Sequence, residues 1–160
     1  MDRLFATTLR LSKFLDVLAG IALSFMICIT VLDVTLRSFR MAIAGTYELV
    51  FFAGAVVVGF SLPRTQWARG HIQVDFLIQN ISLRARQIVN IVTRFLGICF
   101  YCLGGWYLIK MGLSLREVGE VSLTLKMPFY PVAFGLGFSF FVQSFVLLCD
   151  IIKVLRGEYE

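Results

Sequence analysis

Apolar residues in this chain gather into four long runs separated by short polar stretches, which is the pattern of membrane-crossing helices of about 20 mostly apolar residues each. The first run extends from about Phe14 to Leu36, with Asp16 and Asp33 near its ends. The second, and shortest, extends from about Thr46 to Leu62. Its first turn contains Glu48, and it is expected to stop at Pro63, because proline cannot continue a helical hydrogen-bond ladder. The third covers about Ile88 to Gly112. Its Arg94 and Lys110 are 16 residues apart, about 24 Å along a helix, so both are expected to snorkel to opposite interfaces. The fourth, from Met127 to Cys149 and bounded by Asp150, carries no formal charge. Pro128 falls in its expected first turn, where a missing N–H does no harm.

The stretch between the second and third runs differs. Over residues 71–87, Val74, Leu77, Ile78, Ile81 and Ala85 recur at helical spacing, while Asp75, Asn80, Arg84 and Gln87 occupy the other face. This pattern predicts an amphipathic helix lying in the interface, with Trp67 as an aromatic anchor before it. Before the fourth run, Val121, Leu123, Leu125 and Met127 alternate with Ser122, Thr124 and Lys126, predicting a short extended segment. The fold class is therefore an all-α integral membrane protein with four transmembrane helices.

Composition agrees. Of 160 residues, 59% are hydrophobic and 16% charged, which leaves no room for a separate soluble catalytic or nucleotide-binding domain. The net charge of +5 does not point to nucleic acid, since in a membrane chain the position of the charges matters more than their sum. Arg3, Arg10, Lys13, Arg64, Arg69, Arg84, Arg86, Lys153 and Arg156 fall on one side of the membrane, against Arg37, Arg40, Arg116 and Lys126 on the other. The positive-inside rule then puts both termini in the cytoplasm. The first run is too long for the apolar core of a signal peptide and is expected to be retained as a span.

Candidate chemistry is sparse. Cys99 and Cys102 form a C-x-x-C pair that would suit a thiol-quinone oxidoreductase, but they sit near the middle of the third span, where nothing evident stabilises a thiolate. All four cysteines read as small core residues. His71, the only histidine, excludes a two-histidine haem and argues against a zinc site of His and Cys, since the cysteines lie in the spans at other depths; it stands one helical turn from Asp75, with which it can pair. Glu48 would be the seat of a self-assembling, proton-coupled transporter, yet a coupling carboxylate is expected deeper than the first turn, where the helix dipole already favours a carboxylate. Gln143, one turn after Ser139, is expected to hydrogen-bond a neighbouring helix. Small residues four apart, such as Gly20 with Ser24, Ala55 with Gly59 and Gly135 with Ser139, allow close helix approach.

Several motifs then align with one family. The chain resembles the small membrane subunit, the DctQ-type component, of tripartite ATP-independent periplasmic (TRAP) transporters. The likeness rests on Thr46-Tyr47-Glu48-Leu49 opening span 2, Leu62-Pro63-Arg64 closing it, the Gly70-His71-Ile72-Gln73-Val74-Asp75 element, and Ser122 to Pro128 before the last helix. The resemblance implies an accessory, non-enzymatic subunit of the bacterial inner membrane. It would dock on and extend the scaffold of a large, sodium-coupled DctM-type subunit encoded as a separate chain. A DctP-type periplasmic binding protein would deliver organic acids such as C4-dicarboxylates or sialic acid. The chain itself would hold no cofactor, metal or sodium ion. Glu48, His71 and Asp75 would be structural and interface residues. Arg64, Arg69, Arg84 and Arg86 would meet lipid headgroups or the partner's inner rim.

Overall fold

The computed structural model describes residues 2–68 and 83–155, with side chains described for 5–68 and 89–153. Four α-helices account for nearly all of it: α1 (Asp2–Ser38), α2 (Thr46–Trp67), α3 (Leu83–Val118) and α4 (Tyr130–Leu155). Each is long and apolar enough to cross a membrane. With 37 and 36 residues, α1 and α3 reach about 55 Å at 1.5 Å per residue, well beyond a hydrocarbon layer of about 30 Å.

The helix ends differ from the sequence expectation in instructive ways. α1 starts near the N-terminus rather than at Phe14, because no glycine or proline interrupts the polar lead-in, and the Ser12 hydroxyl is satisfied by the Thr8 carbonyl at 2.8 Å. α2 does not stop at Pro63 but runs through it to Trp67. The fourth helix begins at Tyr130, so Pro128 lies ahead of it, and Pro131 is the proline in the first turn. The interfacial helix expected over 71–87 falls mostly outside the described residues. From Leu83 to Gln87, however, the chain already belongs to α3, which continues without a break because neither glycine nor proline occurs before Gly97.

Two connections lie at one end of the bundle. α1 closes with Arg40 in the left-handed region (φ 60°), its N–H donating to the Arg37 carbonyl while Met41 N–H reaches back to Leu36, the hydrogen-bond pair of a Schellman cap. α3 closes on Gly119 (φ 69°), with Glu120 N–H donating to Leu115 at 3.1 Å. The stretch Val121–Met127 is not an extended lead-in. It doubles back on itself, with Val121 bridged to Pro128, Ser122 N–H donating to Met127 O, and Met127 N–H donating to the Ser122 hydroxyl. Its alternating pattern misleads because Leu123 points away from the protein, whereas Leu125 packs over Gly45.

The packing is centred on α4. It contacts α3 along most of its length, α2 substantially and α1 weakly, while α1 packs mainly on α2. Gly105 of α3 faces Gly137 of α4 so closely that a methyl group on either would stand 3.2 Å from the other's carbonyl oxygen. Gly97 and Gly112, about two helical turns to either side, receive Leu147 and Phe134 of α4. This is ridge-into-groove packing by small residues, as helix association in lipid favours. Half of the α4 membrane window is buried inside the chain, against 11% for each of α1 and α3.

Candidate functional site

The polar side chains of the bundle gather at three levels, and each level joins different helices. At the loop end, Asp33 is buried near the end of α1. One of its oxygens accepts the Ile43 N–H at 3.0 Å and the other accepts Arg37 Nε at 2.7 Å. Arg37 also donates to the Tyr47 hydroxyl at 3.3 Å and lies over its ring. The α1–α2 hairpin is thereby locked from inside. Glu48 then joins this hairpin to the other one. Its two carboxylate oxygens accept the backbone N–H groups of Thr124 and Leu125 at 2.7 and 2.9 Å. Charge-assisted bonds of this kind are roughly twice as strong as neutral ones.

Farther down α2, Pro63 is fully buried and has no N–H to offer the carbonyl four residues earlier, that of Gly59. The Ser139 hydroxyl of α4 takes that place, donating to Gly59 O at 2.6 Å. This cross-helix donor explains why the helix survives its proline, and the absence of a side chain on Gly59 lets Leu136 of α4 close over it. One turn along α4, Gln143 is buried. Its Oε1 finds no hydrogen-bond partner among the described residues, so the expected bond to a neighbouring helix is not made through that atom.

At the end bearing the termini, Asp150 of α4 accepts Gln66 Nε2 of α2 at 2.9 Å and lies 4.0 Å from Arg94 Nε of α3. Arg94 does not snorkel outward. It is 6% exposed, and its Nη1 donates to the Asn90 backbone and side-chain oxygens at 3.1 and 3.0 Å. The apolar stretch around Arg94 gave no hint of this, because the partner carboxylate comes from the far end of the sequence. Lys110, by contrast, is exposed. Arg64 lies 4.0 Å from Asp16 of α1, and the Lys153 ammonium stands 4.3 Å from the Trp67 ring centroid with Phe5 beyond.

Between these levels, α1 and α3 present bare apolar faces that include Phe25, Ile27 and Val31 on one helix and Phe100, Leu103 and Trp106 on the other. The hydroxyls of Ser24, Thr30 and Thr35 on α1 donate to carbonyls of their own helix one turn back, so they need no outside partner. Such a surface suits lipid or another apolar protein, not water.

A match to the family described as tripartite ATP-independent periplasmic transporters, DctQ component, spans residues 26–157. The chain belongs to the DctQ family. This DctQ protein is accordingly a multi-pass membrane protein and a small subunit of a TRAP transporter. No curated protein and no solved structure matched it.

In the DctQ chain, the residues singled out in the sequence do not form one centre. Glu48 and Pro128 belong to the loop-end level, Pro63 and Gln143 to the interior, and Arg64 to the termini end. Arg69, His71 and Asp75 lie outside the described residues. Arg84 and Arg86 are in the first turns of α3, and their side chains lie outside the described set. Of the cysteines, only Cys149 is a buried core residue; Cys28 and Cys99 are exposed on the bare faces, and Cys102 is half-buried with its Sγ 3.4 Å from the Ser144 hydroxyl. The residues missed in the sequence are Ser139, Gln66, Arg94 and Asp150. For Ser139 a signal existed: a proline within a helix always releases the carbonyl four positions before it. Among the described residues no three His, Cys, Asp or Glu side chains are grouped as metal ligands.

Proposed function

We propose that this chain is the accessory subunit that docks on the large DctM-type transport subunit and extends its fixed scaffold. In this reading a DctP-type periplasmic protein delivers the solute, an organic acid such as a C4-dicarboxylate, sialic acid or related carboxylate. Sodium coupling belongs to the large subunit, and this chain carries no cofactor. The transporter sits in the bacterial inner membrane with both termini of this subunit in the cytoplasm. His71 and Asp75 stabilise the cytoplasmic interface, and Arg64, Arg69, Arg84 and Arg86 meet lipid headgroups or the partner's rim.

The family match over residues 26–157 carries the subunit assignment. The docking role is supported by the bare outer faces of α1 and α3, since a four-helix bundle that buries only 11% of two of its spans has ample apolar surface for a partner. Glu48 supports a structural rather than a transporting part, because both carboxylate oxygens are engaged by loop amides.

The test is affinity purification of the tagged chain from its native membrane in mild detergent, followed by mass spectrometry. A stoichiometric, much larger multi-span protein is expected to co-purify, and alanine at His71 or Asp75 is expected to lower its yield. Recovery of this chain alone, as a stable homo-oligomer with transport activity lost in Glu48→Gln, would overturn the proposal.

A further inference from the structure

We propose that α2 is hinged at Pro63 and has two settings on α4, with the Gly59 carbonyl held by Ser139 in one and by the Gln143 amide in the other. The side chain of Gln143 is 1% exposed in an apolar interior, yet its Oε1 has no hydrogen-bond partner among the described residues. A buried polar atom in that state destabilises the fold, and a second arrangement that gives it a partner removes the loss. The groups it needs are close. Residues four apart on a helix are neighbours, about 5–6 Å between Cβ atoms, so Gln143 lies beside Ser139, whose buried hydroxyl donates to Gly59 O at 2.6 Å. Ser139 meets Gly59 and Asp150 meets Gln66, so α2 and α4 run antiparallel, and Gln143 on the same α4 face stands opposite the stretch between Gly59 and Gln66.

That stretch is where the α2 hydrogen-bond ladder is weakest. Pro63 deprives the Gly59 carbonyl of its helical donor. The Ser61 and Thr65 hydroxyls donate to the Val58 and Ser61 carbonyls of their own helix at 3.2 and 2.9 Å, bonds of a kind that bend helices. Either side of it, α2 is tied to different partners, by Glu48 to the α3–α4 loop and by Gln66 to Asp150, so the middle can flex while both ties hold. In the second setting Gly59 shifts along α4, Gln143 Nε2 donates to its carbonyl, and the released Ser139 hydroxyl donates to Gln143 Oε1. Both ends of the amide then have partners, at the expense of the contact that Leu136 makes over Gly59. Exchanging an apolar contact for polar partners leaves the two settings close in free energy, the condition for both to be populated.

The experiment uses the full chain in detergent micelles, with ¹⁵N in its glutamine side chains. The Gln143 amide signal, identified by its loss in Gln143→Leu, is expected to show exchange between two environments in relaxation-dispersion NMR. Pro63→Ala returns an N–H to the Gly59 carbonyl and should abolish that exchange. A single static signal in the wild type, or exchange that persists in Pro63→Ala, overturns the hinge. Unfolding in the same detergent gives a second readout that does not depend on Pro63→Ala folding. Gln143→Leu should change the folded-to-unfolded ratio of the wild-type chain by less than about twofold, because the amide oxygen it removes has no partner there. In a Ser139→Ala chain, where the amide recovers part of the loss, the same change should lower the ratio by about tenfold. Equal effects in the two backgrounds show Ser139 and Gln143 to be independent and overturn the proposal. The hinge belongs to the fold of this chain, so its failure leaves the subunit assignment untouched.

Discussion

The Ser139 hydroxyl on α4 donates to the Gly59 carbonyl on α2 at 2.6 Å, supplying the hydrogen bond that Pro63 cannot make within its own helix. Ser139→Ala leaves that carbonyl buried without a donor, a loss of about 1–3 kcal/mol. In a Pro63→Ala background the helix regains its own N–H donor, so the same Ser139→Ala change should be clearly smaller. Unfolding of the four proteins in one detergent measures this coupling. Equal losses in both backgrounds would show that Ser139 does not stand in for the proline.

Glu48 holds Thr124 and Leu125 by their backbone amides, so it controls the order of the α3–α4 loop rather than the stability of α2. Hydrogen exchange of residues 122–127 should speed up by about tenfold or more in Glu48→Ala, with the helix interiors unchanged. Glu48→Gln keeps one acceptor oxygen and should give an intermediate rate. An unaltered loop in both variants is the result that speaks against the clamp.

Arg94 and Asp150 form a buried charged pair, with side chains 7% and 12% exposed. Removing one partner strands a charge among helices, and such losses run to about 3–5 kcal/mol. Asp150→Leu alone should therefore destabilise the bundle strongly, and the double change Arg94→Met with Asp150→Leu should recover much of the loss. Melting temperatures of the two single variants and the double variant decide it; a double variant worse than either single one contradicts the pairing.

Two glycines predict opposite behaviour. Gly105 meets the Gly137 carbonyl, so Gly105→Val should push α3 off α4 and lower stability by about 1–3 kcal/mol, as overpacking does. Gly20 has nothing within 4 Å, so Gly20→Leu should leave the isolated chain unaffected. If the large subunit covers that part of α1, Gly20→Leu will reduce co-purification while the chain itself melts normally; undiminished co-purification assigns that patch to lipid.

The four spans were legible because hydropathy is a local property that tertiary context rarely overrides. Their ends were not, since each depends on a distant partner. Pro63 reads as a terminator until Ser139 is placed opposite Gly59, and Arg94 reads as a snorkelling cation until Asp150 arrives from 56 positions away. The extended reading of Val121–Met127 failed for a related reason. Alternation cannot tell a strand from a turn held by Ser122 and by the Glu48 carboxylate. Glu48 stood out through helix-dipole reasoning, which did not reveal its partners, the Thr124 and Leu125 amides.

Because α2 and α3 meet only through α4, the order of synthesis matters. The α1–α2 hairpin contains its own lock at Asp33 and can settle as soon as both helices are in the bilayer. α3 enters next with no firm neighbour, carrying Arg94 before its carboxylate exists. Only when α4 emerges do the proline's missing donor, the arginine's counter-charge and the glycine-lined seat on α3 all find their partners together. A nascent chain that still lacks α4 thus holds Arg94 without the Asp150 carboxylate and α3 without the helix that braces it.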